Sequence, residues 1–273
     1  MKIGPRMASA IFWLLFLALL FWGVRRFERA NLYFPEKTFY AFPADYRLPF
    51  EAVSFIAEDG KQIKAWYVPP ANAQSAVLIL SPGNAGNRGY RLPKIALFHS
   101  LGYGVLAYDY RGYGDSEGVP SEKGTYRDAL AAYDWLVSEK KIAQERIVSF
   151  GESLGCAMAL ELALKRPVRA LIIESPFTSI VEMGKEHFPF LPVKLMVSFK
   201  YDNKSRMPGL KVPLLIVHSP QDEIVPFRMG RELFELAPHP KSFVEIHGTH
   251  NDGYQMAEKI YAAGVKEFLE QLP

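Results

Sequence analysis

Apolar and polar side chains follow two different patterns in the predicted strands of this chain. Residues 51–57 and 62–68 alternate apolar and polar positions on either side of Asp59-Gly60, which predicts a β-hairpin. Six other segments are short, continuous apolar runs, a pattern typical of strands buried on both faces. These runs are residues 76–80, 104–110, 146–150, 170–175, 213–219 and 243–247.

Stretches of helical character separate these runs. Strands that alternate with helices through short connections predict a mainly parallel sheet with helices on both of its faces. The opening hairpin would add antiparallel strands at one edge. We therefore predict an α/β fold, with helices near residues 91–100, 122–139, 154–166, 227–236 and 254–271.

One interval interrupts the alternation, between residues 177 and 212. Pro189, Pro192 and Pro208 exclude a single long helix there, and residues 188–199 are strongly apolar. Because ligands bind at the carboxyl ends of parallel strands, this insertion is expected to lie over the site as a small lid. Its apolar side chains would either contact an acyl chain or cover the domain core.

The first 29 residues differ from the rest of the chain. Residues 8–24 carry no charge, and they are flanked by Lys2 and Arg6 before and by arginines after. The run is longer than a signal-peptide core and continues directly into Arg25 and Arg26, which predicts an uncleaved, single-pass membrane anchor of marginal length. A buried helix of a soluble domain is the alternative. Positive charge on both flanks leaves the orientation of the anchor open. Residues 30–273 are expected to form the globular domain.

Composition excludes several classes of protein. The 273 residues are 49% hydrophobic and 22% charged, as in globular domains. A net charge of +3 with scattered Lys and Arg residues does not favour nucleic-acid binding. The single cysteine, Cys156, excludes an internal disulfide and is expected to be a buried thiol. No His, Cys, Asp or Glu cluster has the spacing of metal ligands, so neither a metal nor an organic cofactor is expected.

Ser153 is the candidate nucleophile. It lies between Gly151 and Gly155, where an apolar strand runs into a predicted helix. Flanking glycines allow such a turn to close, and the turn then projects the serine hydroxyl above the edge of the sheet. A serine that only caps the helix would not require a glycine on both sides.

A nucleophilic serine needs a base within hydrogen-bond reach and a carboxylate that orients the base. In this architecture the three residues occur in the order serine, acid, histidine. His250 follows the last predicted strand and is the candidate base. Asp222 follows the strand before it and is the candidate acid. Glu174, at the end of a neighbouring strand, competes for that role, whereas Asp252 is too near His250 along the chain.

Two backbone N–H groups are candidates for an oxyanion hole. Leu154 follows the nucleophile directly, and Asn84 lies in the glycine-containing loop after residues 76–80. Donors at these two positions would stabilise the charge of a tetrahedral intermediate. A glycine loop before a helix also binds phosphate in other proteins. However, neither of the common nucleotide-binding glycine motifs is present.

Six motifs between residues 50 and 271 resemble those of a known protein family. They are GNAGNRGYR, YDYRGYGDSEGVPSE, FGESLGCAMA, ESPFTSI, SPQDEIVP and GTHND. In this order and spacing, the chain resembles the α/β-hydrolase superfamily. More narrowly, it resembles the bud-emergence (Bem) type of membrane-anchored serine hydrolase. The resemblance implies a catalytic triad with two backbone oxyanion donors, at Ser153, Asp222, His250, Asn84 and Leu154.

The resemblance also implies that Asp109, Arg111 and Asp115 fix a loop beside the site. Two motifs depart from the family pattern. Ser81-Pro82 stands where the family usually has a histidine-containing sequence, in the oxyanion loop. Ser219-Pro220 stands where a glycine is common, in the turn before the acid. Neither departure removes a reacting group.

The expected function is that of a membrane-tethered serine hydrolase. It would cleave carboxylic esters or thioesters through an acyl-enzyme, acting on a small molecule or an acylated protein. The anchor and the apolar insertion favour a lipid-derived acyl group. One alternative is an amidase or peptidase that uses the same triad. The other is a catalytically silent, membrane-anchored binding module.

Overall fold

The computed structural model describes residues 4–272, so the predicted charge at Lys2 lies outside the described residues. Ten strands are found in this range. They are β1 (Phe34–Pro35), β2 (Glu51–Ile56), β3 (Gln62–Val68), β4 (Val77–Ser81), β5 (Ala85–Gly86), β6 (Gly104–Tyr108), β7 (Ile147–Glu152), β8 (Ala170–Glu174), β9 (Leu214–His218) and β10 (Lys241–Glu245).

Ten α-helices and four short 3-10 helices connect these strands within the described range. The α-helices are α1 (Pro5–Leu32), α2 (Leu92–Ser100), α3 (Glu122–Ser138), α4 (Gly155–Lys165), α5 (Ile180–His187), α6 (Val193–Met196), α7 (Asn203–Arg206), α8 (Phe227–Leu236), α9 (Gly253–Met256) and α10 (Glu258–Glu270). The 3-10 helices are Pro43–Tyr46, Arg88–Arg91, Gln144–Arg146 and Met207–Gly209.

Eight strands form one twisted sheet, in the order β10-β9-β8-β7-β4-β6-β3-β2. The pairs from β10 to β6 are parallel, whereas β2–β3 and β3–β6 are antiparallel. The predicted mainly parallel sheet with an antiparallel edge hairpin is therefore confirmed. β1 and β5 form a separate parallel pair in which Phe34 is opposite Ala85.

Two hydrophobic cores lie on opposite faces of the sheet. Successive strand residues point to opposite faces, so Ile79 joins the core beneath α3, α4 and α8, while Leu78 joins the core beneath α2 and α10. Both side chains are fully buried. This double burial is the physical reason why the central strands are continuous apolar runs.

The N-terminal apolar run forms most of helix α1, which ends where Tyr33 becomes extended. Large side chains between Ile11 and Trp22 are exposed along it, so the alternative of a buried helix is wrong. Within the described part of the chain, the helices lack the combined length and apolar content needed to cross a membrane. The predicted single-pass anchor is therefore not confirmed.

The insertion between β8 and β9 contains three short helices, α5, α6 and α7, and not a single long one. Helix α5 ends at His187, just before the segment that contains Pro189 and Pro192. A proline lacks the N–H that a continuing helix would need. The insertion is thus divided at the positions that its prolines predict.

We expect the substitution Phe98→Ala to lower the free energy of unfolding by about 3–5 kcal/mol, as for other buried aromatic residues. Phe98 is fully buried on α2, and its ring packs edge-on against Phe150 at 5.1 Å between centroids. Urea denaturation of both proteins measures the difference. A loss below about 1 kcal/mol would show that this face of the sheet repacks around the cavity.

Candidate active site

The turn that carries Ser153 is a tight, left-handed bend between β7 and α4. The backbone of Ser153 has a φ of 52°, which is unfavourable for a residue with a side chain. A Cβ atom at Gly151 would lie 2.4 Å from the carbonyl oxygen of Gly155, and one at Gly155 would lie 2.0 Å from that of Ser81. Only glycine fits both flanking positions, as the sequence pattern indicates.

A hydrogen bond to the end of strand β8 fixes the same turn. The Ser153 N–H donates to the carbonyl oxygen of Glu174 at 2.9 Å. Cys156 is the second residue of α4; it is buried, and its thiol lies 3.2 Å from that same carbonyl oxygen. Burial raises the pKa of the Cys156 thiol well above its ordinary value, so the thiol stays protonated. Cys156 is a packing residue, in agreement with its expected burial.

The structure brings the three predicted triad side chains together. Ser153 Oγ lies 3.0 Å from Nε2 of His250, and Nδ1 of His250 lies 2.8 Å from Oδ2 of Asp222. Each residue follows the carboxyl end of a parallel strand: β7, β10 and β9 respectively. The contacts join residues separated by 97 and 28 positions along the chain, so the sheet topology creates the site.

Asp222 is fixed by donors on both of its oxygens. Oδ1 accepts the backbone N–H groups of Ile224 and Val225, and Oδ2 lies 3.2 Å from Nε2 of the buried His218. Burial alone would raise the pKa of Asp222, but the hydrogen bonds from His218 and His250 outweigh it and hold the pKa well below 3.8. The carboxylate is therefore ionised at neutral pH.

His250 is poised to take up a proton. Burial lowers the pKa of its imidazole, but the hydrogen bond and negative charge of Asp222 outweigh burial and raise the pKa above 6.5. The backbone N–H of His250 also donates to the Glu223 carboxylate at 3.0 Å. Adjacent carboxylates therefore fix both the ring and the backbone of the candidate base.

Glu174, the competing acid, does not contact His250. Its Oε2 accepts a hydrogen bond from the Tyr261 hydroxyl at 2.8 Å and lies 2.7 Å from Nζ of Lys94. Lys94 is almost completely buried and also pairs with Glu152, the residue just before the nucleophile. The structure thus places Asp222, and not Glu174, on the imidazole.

The ion-pair cluster beneath Ser153 was not predicted from the sequence. Burial would raise the pKa of Glu152, but Arg91 and Lys94 outweigh it and lower the pKa to about 2. Burial likewise opposes the charge of Lys94, yet Glu152 and Glu174 raise its pKa above 10.5. The one feature of the sequence that could have indicated this cluster is Lys94, a charged residue within the apolar helix α2. Its partners Glu152 and Glu174 come from two separate strands, β7 and β8.

Asn84 and Leu154, the predicted oxyanion donors, line the same cavity as Ser153. Within the described residues, neither of their backbone N–H groups donates to another protein group. The carbonyl oxygen of Asn84 accepts from the Tyr113 hydroxyl at 2.7 Å and from the Phe34 N–H at 2.9 Å. The Asn84 side chain donates to the carbonyl oxygen of Leu32 at 3.0 Å. These bonds fix the loop while leaving its N–H free.

At both positions that depart from the family pattern, the residues present form hydrogen bonds that fix their loops. Ser81 Oγ lies 2.8 Å from the Tyr108 hydroxyl, and the Tyr110 hydroxyl donates to the carbonyl oxygen of Pro82 at 2.6 Å. Ser219 Oγ donates to the carbonyl oxygen of Gly248 at 2.6 Å. This last bond joins the loop of Asp222 to the loop of His250.

The three expected scaffold residues divide between two loops. Asp109 and Asp115 both pair with Arg88, which continues the loop of Asn84. Arg111 instead pairs with Asp128 on α3 at 2.8 Å and with the β2–β3 turn. The two aspartates therefore support the oxyanion loop, while Arg111 holds the edge hairpin.

A cavity of about 1300 Å³ opens over Ser153 and His250. Polar side chains in its lining include Arg91, Asn251 and Gln255. Apolar side chains in its wall come from α1, from the insertion and from the loop of Asp222; they include Phe27, Phe177, Met183, Leu191, Val197 and Ile224. The residues of α1 in this wall were not predicted. Among the described residues, no cluster of three or more His, Cys, Asp or Glu side chains could hold a metal ion.

This fold, with a serine on a strand-to-helix turn facing a histidine, is the arrangement of the serine hydrolases. The family described as alpha/beta hydrolase fold matches residues 76–193. An uncharacterized protein of Mycobacterium tuberculosis is 38% identical over 217 residues, which cover 78% of this chain and 77% of that protein. The chain belongs to the α/β-hydrolase family and is a serine hydrolase by class.

Two other proteins are similar to this chain, one in sequence and one in fold. A lysophosphatidylserine lipase of Mus musculus is 36% identical over 70% of this chain, and the match spans about half (54%) of the lipase. An esterase of Pyrococcus furiosus has the same fold, with a TM-score of 0.75 at 20% identity, over 88% of this chain and 98% of the esterase. These comparisons do not confirm the narrower bud-emergence type.

We expect Asp222→Asn to lower the pKa of His250, because the carboxylate that raises it is gone. In the parent protein the raised pKa means that protonated His250 stabilises the fold. That contribution is complete below the unfolded pKa of about 6.5 and is lost as the pH rises through the folded pKa. NMR titration of the imidazole measures the shift, with the exposed Asp134→Asn as the control. An unchanged titration in Asp222→Asn would contradict the assignment.

Proposed function

We propose that this protein hydrolyses carboxylic esters of lipid-derived acyl groups through an acyl-enzyme on Ser153. The observation that carries the proposal is the chain of contacts from Ser153 Oγ to His250, at 3.0 Å, and on to Asp222, at 2.8 Å. Ser153 and His250 line a cavity whose wall contains both apolar and polar side chains. Asp222 holds the imidazole in the tautomer that leaves Nε2 free to accept a proton.

In the first half of the reaction, Ser153 Oγ attacks the acyl carbon while Nε2 of His250 takes the hydroxyl proton. The negative charge that forms on the carbonyl oxygen is stabilised by the N–H groups of Asn84 and Leu154, each typically worth about 3 kcal/mol. Collapse of the intermediate breaks the bond to the alcohol, which receives the proton from His250. The acyl group remains as an ester of Ser153.

In the second half, His250 takes a proton from a water molecule, and the resulting hydroxide attacks the acyl-enzyme. The same two N–H groups stabilise the second oxyanion. Ser153 Oγ then leaves, takes back the proton from His250 and releases the fatty acid. A thioester would follow the same steps with a thiol as the leaving group.

The lining of the cavity supports the choice of substrate. Phe177, Met183 and Leu191 in its wall offer an acyl chain apolar surface to pack against. Polar residues in the same lining, among them Arg91, Asn251 and Gln255, suit a charged or hydroxylated head group. A lipid ester combines these two features, and a lysophosphatidylserine lipase is among the relatives. In this proposal residues 177–212 act as the lid over the acyl chain.

We expect Ser153→Ala to lower kcat/KM for p-nitrophenyl acyl esters by at least about 1000-fold, because the nucleophile is removed. A fluorophosphonate probe should label the parent protein and should not label the variant. The exposed Ser138→Ala is the matched control and should keep both activities. Failure of the parent protein to react with the probe would favour a silent binding module.

The same assay separates an esterase from an amidase or peptidase. Aminoacyl amides are compared with acyl esters of increasing chain length under identical conditions. Faster turnover of the esters, increasing with chain length, supports the proposal. Faster turnover of the amides would assign the triad to amide hydrolysis.

We further propose that α1 associates with a membrane surface. Its apolar side chains are exposed, with Leu14 at 68% and Leu15 at 66%, and Arg25, Arg26 and Arg29 lie at its end. Exposed apolar residues next to cationic ones favour the interface of an anionic bilayer. This arrangement would bring the cavity close to lipid substrates.

We expect the double variant Leu14→Glu, Leu15→Glu to float less with vesicles of phosphatidylcholine and phosphatidylglycerol than the parent protein does. Burying two carboxylates in the interface is unfavourable, so the bound fraction should fall by about half or more. Leu236→Glu, on helix α8 and also exposed, is the control. Equal flotation of all three proteins would contradict the association.

A further inference from the structure

Glu28, near the end of α1, is a buried carboxylate whose partners lie in the insertion. It is 9% exposed. Its Oε1 accepts the backbone N–H groups of Ser198 and Phe199 at 2.6 and 2.7 Å, and its Oε2 accepts the Ser198 hydroxyl at 2.6 Å. Nη1 of Arg25 donates to the same Oε2 at 2.9 Å. A carboxylate is stable in a buried position only when its oxygens are satisfied in this way.

Two further contacts join the same part of α1 to the insertion. Arg25 donates through its second terminal nitrogen to the carbonyl oxygen of Met196 at 3.0 Å. The ring of Phe27 packs edge-on against Phe188, with centroids 6.2 Å apart. The segment 188–199 is therefore held by α1 at both of its ends. We call this segment the cavity cover.

The cavity cover has little regular structure of its own. Its one α-helix is the single turn of α6. It also contains two prolines and exposed apolar side chains, with Phe190 at 97% and Leu195 at 85%. Leu191 and Val197 nevertheless line the cavity. Four backbone hydrogen bonds lie within residues 188–197 and shape the segment locally. Its hydrogen bonds to Arg25 and Glu28 attach residues 196–199 to α1, and so help to fix where these two side chains lie relative to the cavity.

The end of α1 is in turn fixed to the oxyanion loop. The Asn84 side chain donates to the carbonyl oxygen of Leu32, and the Phe34 N–H donates to that of Asn84. β1, just after the helix, pairs with β5 in the same loop. Helix α1 thus connects the loop beside Ser153 to the cavity cover. Val24 and Phe27 of the same helix also line the cavity.

We propose that Glu28 is a positioning residue that sets acyl-chain selectivity by holding the cavity cover on α1. This inference rests on the proposed esterase function and deepens it. The N-terminal helix is then part of the acyl-binding site as well as a surface for lipid. Long acyl chains reach the cover and depend on its position, whereas an acetyl group ends near Ser153.

The experiment measures kcat/KM of the full-length protein for p-nitrophenyl dodecanoate and acetate, and takes their ratio. Glu28→Ala should lower the dodecanoate-to-acetate ratio about 10-fold, mainly through KM, because a displaced wall weakens binding of the chain. Glu28→Gln keeps the shape and part of the hydrogen bonding, so its ratio should lie in between. Glu235→Ala, an exposed glutamate on α8, is the matched control and should keep the parent ratio.

Four results would overturn the inference. An unchanged ratio in Glu28→Ala would show that the cover does not depend on Glu28. Equal losses for both esters would indicate a general structural role. If Glu28→Ala does not fold, Ser198→Ala, which removes only one donor, must lower the ratio in the same direction. A parent protein that hydrolyses neither ester and does not react with the fluorophosphonate would instead refute the proposed function, and this inference with it.

Discussion

The site depends on the left-handed turn at Ser153. A residue with a side chain holds this conformation only where the surroundings compensate for a cost of about 1–3 kcal/mol. Here the Ser153 N–H is bonded to strand β8, and the glycines on either side pack directly against backbone atoms. The turn therefore aims the hydroxyl away from the sheet and towards His250. It also leaves the Leu154 N–H without a protein partner among the described residues.

Charge is balanced around that turn in two separate layers. Asp222 pairs with His250 beside the hydroxyl, and Lys94 pairs with Glu152 and Glu174 beneath it. Glu174 could have acted as the orienting acid, but its carboxylate is already bound to Lys94 and Tyr261. Buried ions are retained only with partners, so the lower layer keeps Glu174 away from the imidazole. Asp222 is thus the carboxylate that orients His250, whereas Glu152 and Glu174 are ion-pair partners of Lys94.

The N-terminal helix links regions that are distant along the chain. Leu32 and Phe34 bond to the loop of Asn84, and Glu28 bonds to the cavity cover about 170 residues later. The helix has exposed apolar side chains along its first part and contacts with the site at its end. The oxyanion loop and the cover consequently share one support.

The sequence by itself determined the class of fold, the order of its main strands and helices along the chain, and Ser153 and His250 as candidates for the nucleophile and the base. Local rules were sufficient for these predictions, because continuous apolar runs identify doubly buried strands and paired glycines identify the turn at Ser153. The sequence left the choice between Asp222 and Glu174 open. It also gave no sign that Lys94 or Glu28 belongs to the site. Those outcomes were decided by the tertiary structure, because hydrogen bonds and ion pairs between distant segments depend on which elements the sheet places side by side.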